Sequence, residues 1–396
     1  MFNITTLNSI SPKGLERLPG SLFNVAEDDT APSPDGILVR SASMLEAELP
    51  DSLLAVARAG AGTNNIPIDR CSEKGIVVFN TPGANANAVK ELVLGGLVLA
   101  SRNIAGGIAW AAGLAAEGDA ASSAEDAVPK LVEKGKSKFA GPELEGKTLG
   151  IIGLGAIGVK VANMATHLHM EVLGYDPYIS IDAAWSLSRS VKHCVSLSEI
   201  ITQADYITLH LPVTADTRNF INKEVIAQMK PGARILNFAR GELVDNDALL
   251  TALKNGRIAS YVTDFPSAEL IGQPGVVCIP HLGASTPESE ENCAVMAAEQ
   301  LKEYLLHGNI VNSVNLPNVN VPRGAGSRIC IINRNAKGIL AGVTNVLNSA
   351  GLNIENLTNK SRGDFAYTLA DVPGSVPDDA VAAINDLEGV IRIRVI

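Results

Sequence analysis

Between Lys147 and Asp176 the chain reads KTLGIIGLGAIGVKVANMATHLHMEVLGYD, and few folds accommodate such a stretch. The apolar run Leu149 to Ile152 has the character of a parallel strand buried on both faces. Gly153, Gly155 and Gly158 follow in G-x-G-x-x-G spacing. A helical pattern then runs through Val161, Met164 and Leu168, and a second apolar run, Val172 to Tyr175, ends on Asp176. The spacing gives each glycine a separate task. Gly153 makes the tight strand-to-helix turn, Gly155 lets the backbone approach a pyrophosphate, and Gly158 allows close packing of helix on strand. Amides at the helix N-terminus, at Ala156 and Ile157, would face two phosphates with the helix dipole behind them. Asp176 would accept hydrogen bonds from the adenosine ribose hydroxyls and repel a 2′-phosphate, so the expected cofactor is NAD rather than NADP. A lone glycine motif of this kind is weak, but here the strand, the helix and the acid agree with it.

At 396 residues the chain is long for one hydrophobic core, and two or three domains are expected. A formal charge of −10 argues against nucleic acid as a partner, so an anionic substrate would need a local basic pocket. The five cysteines, Cys71, Cys194, Cys278, Cys293 and Cys330, form no C-x-x-C pair. That suits a reducing cytoplasm and offers neither a disulfide framework nor a metal site. The N-terminus lacks the basic and apolar regions of a signal peptide. Leu92 to Ala116 is apolar enough to raise the question of a membrane. Arg102, Asn103 and five interrupting glycines instead favour a buried core or interface helix.

Up to about residue 85, short β-like runs alternate with helical segments. Ile37 to Val39 leads into Arg40 and Ser41; Leu53 to Ala57 leads into Arg58 and the turn Gly60-Ala61-Gly62; Val77 to Phe79 leads into Asn80. Ligands of open parallel sheets bind beyond the carboxyl ends of strands, so this repeated placement favours an anion site, although either arginine alone reads equally well as a solvated charge. Residues 86 to 115 read as one long helix rich in small residues, suited to a domain junction or a subunit interface. Lys134, Lys136 and Lys138 have the look of a solvated face. Further βα repeats end at Leu211-Pro212, at Ala239-Arg240, at Asp264 and at Pro280-His281, and a helix from Thr286 to His307 follows. Asn312 to Ser327 reads as a linker. From Arg328 the composition resets to a βαββαβ order, an independent ferredoxin-like domain.

Arg240, Glu269 and His281 make a chemically coherent set at strand ends. Moving a hydride from a secondary alcohol to NAD requires a base for the hydroxyl proton, and histidine titrates near working pH. A carboxylate beside it, Glu269, would orient the ring, and an arginine fork would bind a substrate carboxylate. A single histidine after a proline is also an ordinary loop residue.

Asn237 to Asp245 resembles the arginine motif of the D-isomer-specific 2-hydroxyacid dehydrogenases. Pro280 to Thr286 resembles their histidine motif, and Thr263-Asp264-Phe265-Pro266 with Glu269 their glutamate segment. The likeness extends to Arg58–Ile66, Asn80–Val93 and the C-terminal part. It implies that Arg240 binds the substrate carboxylate and that Glu269 and His281 relay the proton. It also implies that Asp264 contacts the nicotinamide amide, that Leu211 and Pro212 border the adenosine, and that Ala239, Gly283 and Ala284 line the cofactor. Arg40, Ser41, Arg58, Ala61, Gly62 and Asn87 would line the substrate side, with Lys138 as a further reach to a phosphate. 3-Phospho-D-glycerate is the substrate that would use both arginines; lactate, glycerate or a bulkier acid is the alternative within the family. An NAD-responsive corepressor-like sensor is the alternative outside it.

The family fold implies a Rossmann-type doubly wound NAD-binding domain over residues 91–285. A discontinuous flavodoxin-like substrate domain would take 1–90 with 286–312, and a linker 313–327. The tail, 328–396, resembles an ACT domain. Asn335 and Asn353 stand where related modules hold L-serine, although Arg334-Asn335-Ala336-Lys337-Gly338 lacks the usual proline. A homodimer or homotetramer is expected, without nucleic acid, membrane or metal.

Overall fold

The computed structural model describes residues 1–27, 33–118 and 124–396. The chain divides into two compact units, Met1–Asn85 with Pro287–Ile396, and Ala86–Thr286.

In the first unit, β1 (Phe2–Leu7), β2 (Phe23–Glu27), β3 (Gly36–Val39), β4 (Ala55–Arg58) and β5 (Val77–Phe79) form a parallel sheet ordered β2-β1-β3-β4-β5. That is the flavodoxin-like order of a doubly wound sheet. Alternate residues enter opposite cores, as strand geometry requires. Leu38, Ala57 and Val77 pack on the helix Pro287–His307 through Ala294, Ala297 and Leu301. Ile37, Val39, Val56 and Val78 pack on Met44, Leu49, Leu53 and Cys71.

The second unit holds β6 (Thr148–Ile152), β7 (Glu171–Tyr175), β8 (Lys192–His193), β9 (Tyr206–Leu209), β10 (Ala233–Asn237), β11 (Ile258–Thr263) and β12 (Val276–Cys278). All pair in parallel in the order β12-β11-β10-β9-β6-β7-β8. The order turns back at β6, which gives the Rossmann-type switch point. Helices Ala86–Ser101 and Ala156–His167 cover one face; Leu197–Gln203, Lys223–Gln228 and Asn246–Lys254 cover the other.

The small-residue segment expected as one helix is two, Ala86–Ser101 and Ile104–Gly118, bent by 69°. The break falls at Arg102 and Asn103, where the Asn103 side chain turns back to accept the Gly106 amide at 3.0 Å and so starts the second helix. Among the described residues no single helix is long and apolar enough to cross a membrane.

The tail follows the βαββαβ order, with β13 (Ser327–Arg334), β14 (Asn356–Arg362), β15 (Phe365–Val372) and β16 (Val390–Val395) arranged β14-β15-β13-β16 and all antiparallel. It is not a separate body. One face of β13, Ile329 and Ile331, packs on the tail's own helices, while Cys330 and Ile332 join Tyr304 and Leu305 in the core of the parallel sheet. Arg328 is fully buried, bonds Asp371 at 2.6 and 2.9 Å, and donates to the carbonyls of His307, Val321 and Pro322. The stretch that read as a linker is packed as well. Leu316 and Val319 are fully buried, and Asn315 bonds the Val78 amide and the Ile76 carbonyl at 2.9 Å each. Its prolines and asparagines break the periodicity that sequence patterning relies on, yet its side chains close the edge of a sheet.

Candidate active site

The carboxyl edge of the seven-stranded sheet collects the second unit's candidate site residues. Gly153 follows β6 with φ +95°, and a Cβ there would lie 2.5 Å from the His210 carbonyl oxygen, so only glycine fits the turn. Gly155 caps the helix Ala156–His167 without any side-chain hydrogen bond, and nothing stands within 4 Å of the Cβ it lacks. The first-turn amides of that helix are thus left for a ligand, and the surroundings of Gly155 are roomy enough for a phosphate. Asp176 follows β7 and accepts the amides of Leu154 and Tyr178 at 2.8 Å each. One carboxylate oxygen therefore fixes the glycine loop, and spare lone pairs remain for ribose hydroxyls. These residues fit a dinucleotide.

Three further loops arrive at the same edge. After β10, buried Asn237 organises the arginine loop. Its Oδ1 accepts the amides of Ala239 and Arg240 at 3.2 and 3.3 Å, and its Nδ2 donates to the Arg240 carbonyl at 2.8 Å. The Arg240 side chain stays exposed, donating from Nη1 to the Ala239 carbonyl at 2.6 Å. After β11, Asp264 is only 2% exposed and accepts the amides of Leu282 and Gly283 at 2.7 and 2.8 Å. Burial pushes its pKa up, against the pull of those two amides. It thereby ties down the loop after β12, in which His281 takes φ +53° and Gly283 is buried, with Ala284 half-buried beside it. The exposed His281 ring lies 4.9 Å from the Phe265 ring, tilted by 58°.

Glu269 departs from expectation. Its Oε2 accepts from Asn246 Nδ2 at 3.2 Å, and among the described residues no hydrogen bond joins it to His281. The tilted Phe265 ring is the imidazole's neighbour there. A cleft of about 530 Å³ opens at Glu269, lined also by Arg218, Glu242, Asp245 and Asn246.

Two residues of this edge fall inside motifs the sequence displays but have no role of their own assigned there. Asn237 looks like an ordinary strand residue, and its value emerges only when the loop folds over it. His210, at the end of β9 before Leu211 and Pro212, places Nε2 3.1 Å from Thr208 Oγ1, while its buried Nδ1 has no partner among the described residues. Burial pushes its pKa down to about 4, so the ring is neutral near pH 7. Asn87 lies exposed on the helix Ala86–Ser101 with Nδ2 on Glu91, and Lys138 is exposed in the short 3₁₀ turn Lys136–Phe139.

In the first unit, the ends of β3, β4 and β5 deliver Arg40, Arg58 and Asn80 to one edge. Neither arginine projects freely. Arg40 pairs with Glu290. Arg58 donates from Nε to the Arg40 carbonyl at 3.0 Å and from Nη1 to the Gly62 carbonyl, under the turn that holds Ala61. Asn80 Nδ2 closes that turn on the Ala61 carbonyl at 2.6 Å. Ser41 gives its amide to Asn8 Oδ1 at 3.1 Å. In the tail, Asn335 Nδ2 donates to the Gly363 carbonyl at 3.1 Å, and Asn353 is exposed.

Residues 116–283 match the NAD binding domain of the D-isomer specific 2-hydroxyacid dehydrogenases. The chain is 38% identical over 294 residues to D-3-phosphoglycerate dehydrogenase of Methanocaldococcus jannaschii, covering 72% of this chain and 52% of that one. It is 33% identical over 373 residues to the D-3-phosphoglycerate dehydrogenase of Haemophilus influenzae, covering 90% and 85%. The chain thus spans about half the length of the first of these relatives and most of the second. Among solved structures, an NAD+-bound 3-phosphoglycerate dehydrogenase of Entamoeba histolytica matches with a TM-score of 0.60 at 26% identity, covering 79% of this chain and 98% of that one. The apo D-mandelate dehydrogenase of Rhodotorula graminis shares the fold, with a TM-score of 0.65 at 24% identity over 81% and 99%. The chain belongs to the D-isomer-specific 2-hydroxyacid dehydrogenase family.

Proposed function

We propose that the chain is an NAD-dependent dehydrogenase that oxidises 3-phospho-D-glycerate to 3-phosphohydroxypyruvate, opening the phosphorylated route to L-serine. The observation that carries this is the common carboxyl edge of β6, β7, β10, β11 and β12, where the glycine loop, Asp176, Arg240, Asp264 and His281 all emerge. The names of the relatives supply the substrate. NAD, when bound, supplies the hydride acceptor. His281 removes the hydroxyl proton at an imidazole nitrogen, and Glu269, turned from Asn246, stabilises the imidazolium. Arg240 fixes the substrate carboxylate with its planar fork. Asp264 and Asn237 hold the two loops in place, so histidine and arginine need little reorganisation. Arg40, Arg58 and the Ala61-Gly62 turn serve the phosphate, with Ser41, Asn87 and Lys138 as lesser contributors.

The test is a substrate panel. Turnover with 3-phospho-D-glycerate should exceed that with D-glycerate and D-lactate, with NAD preferred over NADP; a preference for D-glycerate would refute the substrate. The Arg40–Glu290 pair favours a second reading within the family, an unphosphorylated 2-hydroxy acid, because it places a carboxylate where a phosphate would come.

The tail is assigned to the ACT class on its βαββαβ order, with L-serine at Asn335 and Asn353 as a feedback ligand and the enzyme working as a homodimer or homotetramer in the cytoplasm. No response of the rate to millimolar L-serine would remove the ligand.

A further inference from the structure

Glu290 carries no signal in the sequence, yet it occupies a decisive place in the first unit. It stands in the first turn of the helix Pro287–His307, 250 positions from Arg40, and its Oε1 accepts from Arg40 Nη2. The two side chains are 42% and 43% exposed, so the pair meets solvent. Arg40 leaves the carboxyl end of β3, and its carbonyl receives Arg58 Nε at 3.0 Å, which sets both guanidinium groups on one edge. Cys293, nearly one helical turn beyond Glu290, reports the same crowding. Burial pushes its thiol pKa up, and both Arg40 and Arg58 pull it back. Glu290 therefore lies among the positive charges of the strand-end loops. A carboxylate there neutralises Arg40 while the site is empty and repels a dianion that arrives. Solvent-exposed ion pairs are weak enough to be exchanged for a better partner.

We propose that Glu290 is a specificity-determining residue, a built-in counter-ion that the substrate's phosphate must displace from Arg40, and that it moderates the preference for phosphorylated over unphosphorylated 2-hydroxy acids. This rests on the reading of Arg40 as part of the phosphate site.

The experiment is Glu290→Gln, which keeps the shape and an acceptor oxygen for Arg40 but removes the charge. The KM for 3-phospho-D-glycerate should fall about two- to fivefold, the range expected for removing one exposed neighbouring charge. The KM values for D-glycerate and NAD should stay constant, and the gain should vanish when Arg40→Met is already present. An unchanged or raised KM for phosphoglycerate, or the same gain without Arg40, overturns the proposal. Should the wild type fail to turn over phosphoglycerate, the substrate assignment falls instead. Calorimetric titration with inorganic phosphate then decides the role of Glu290: tighter binding by Glu290→Gln supports it, and equal binding overturns it.

Discussion

In the seven-stranded sheet, the residues that hold the strand-end loops differ from those offered for chemistry. Asp264 and Asn237 are buried and spend their side-chain atoms on loop amides and carbonyls, whereas His281 and Arg240 stay exposed. In the five-stranded sheet the same residues do both tasks. Arg58 props the Gly60–Gly62 turn and the carbonyl of Arg40, and Arg40 is held by Glu290. The difference teaches where substitutions separate function from stability. Cutting His281 or Arg240 in the second unit removes chemistry alone, while cutting an arginine in the first unit removes scaffold as well.

The largest effect expected is that of His281→Ala. General acid–base catalysis contributes on the order of 10²–10⁴-fold, so turnover should fall by about that factor. His281 is exposed, and among the described residues its one ring contact is the half-buried Phe265, so the unfolding midpoint and NAD affinity should stay at wild-type values. Steady-state kinetics beside an NAD titration and a melting curve check all three. Retained turnover would break the comparison at its strongest point.

The opposite extreme is Arg328, a fully buried arginine outside the strand-end loops. Its bonds to the His307, Val321 and Pro322 carbonyls fasten the tail to the end of the helix Pro287–His307 and to the stretch that follows it, while Asp371 pairs with it inside the tail. Removing one partner of a buried ion pair strands the other charge at about 3–5 kcal/mol. Arg328→Ala should lower the urea unfolding free energy of the first unit by roughly that amount. A loss under about 1 kcal/mol would mean the tail is held by its apolar face alone.

How much of this was legible beforehand follows from sequence distance. The glycine loop, Asp176 and the Arg240 and His281 loops lie next to the apolar runs that position them, so local spacing exposed them. The tail's strand order was legible for the same reason. What stayed hidden was set by partners far apart in the chain: Glu290 against Arg40, Asn315 against Ile76, Cys330 against Tyr304. Burial and alternation cannot tell whether β13 buries its second face on its own helices or on another domain's, so the tail read as independent. Likewise the charge of Arg58 was plain, but the carbonyls that it serves depend on how the turn folds over it. The bend at Arg102 and Asn103 turned on a single side chain capping the next helix, which small-residue composition concealed.

His210 supplies the next prediction, in pH. Its folded-state pKa is about 4 against an ordinary 6.5. As pH falls below 6.5, the unfolded chain takes up a proton that the buried ring refuses, so its contribution is complete above that pH and lost toward pH 4. The loss should be on the order of 3 kcal/mol over that window. Urea midpoints of wild type and His210→Gln between pH 4 and 8 check this, since the variant should show a flatter slope. Parallel slopes would place the acid sensitivity elsewhere in the second unit.

The smallest expected effect cuts closest to the comparison. Arg58→Lys keeps the charge but loses the planar fork, so one ammonium cannot serve both the Arg40 and Gly62 carbonyls as Nε and Nη1 do. A hydrogen bond from a charged donor is worth about 1.5–3 kcal/mol, and lysine recovers part of it, so a stability loss of roughly 1–2 kcal/mol is expected. If Arg58 is scaffold and ligand at once, the KM for phosphoglycerate must rise in the same variant, while the NAD affinity, whose residues lie in the other unit, stays fixed. Should the KM rise with an unchanged melting curve, Arg58 would resemble His281, and the two sheets would hold their loops alike. Should stability fall with the KM untouched, the turn over Arg58 would be architecture only, and the phosphate would depend on Arg40 and its release from Glu290.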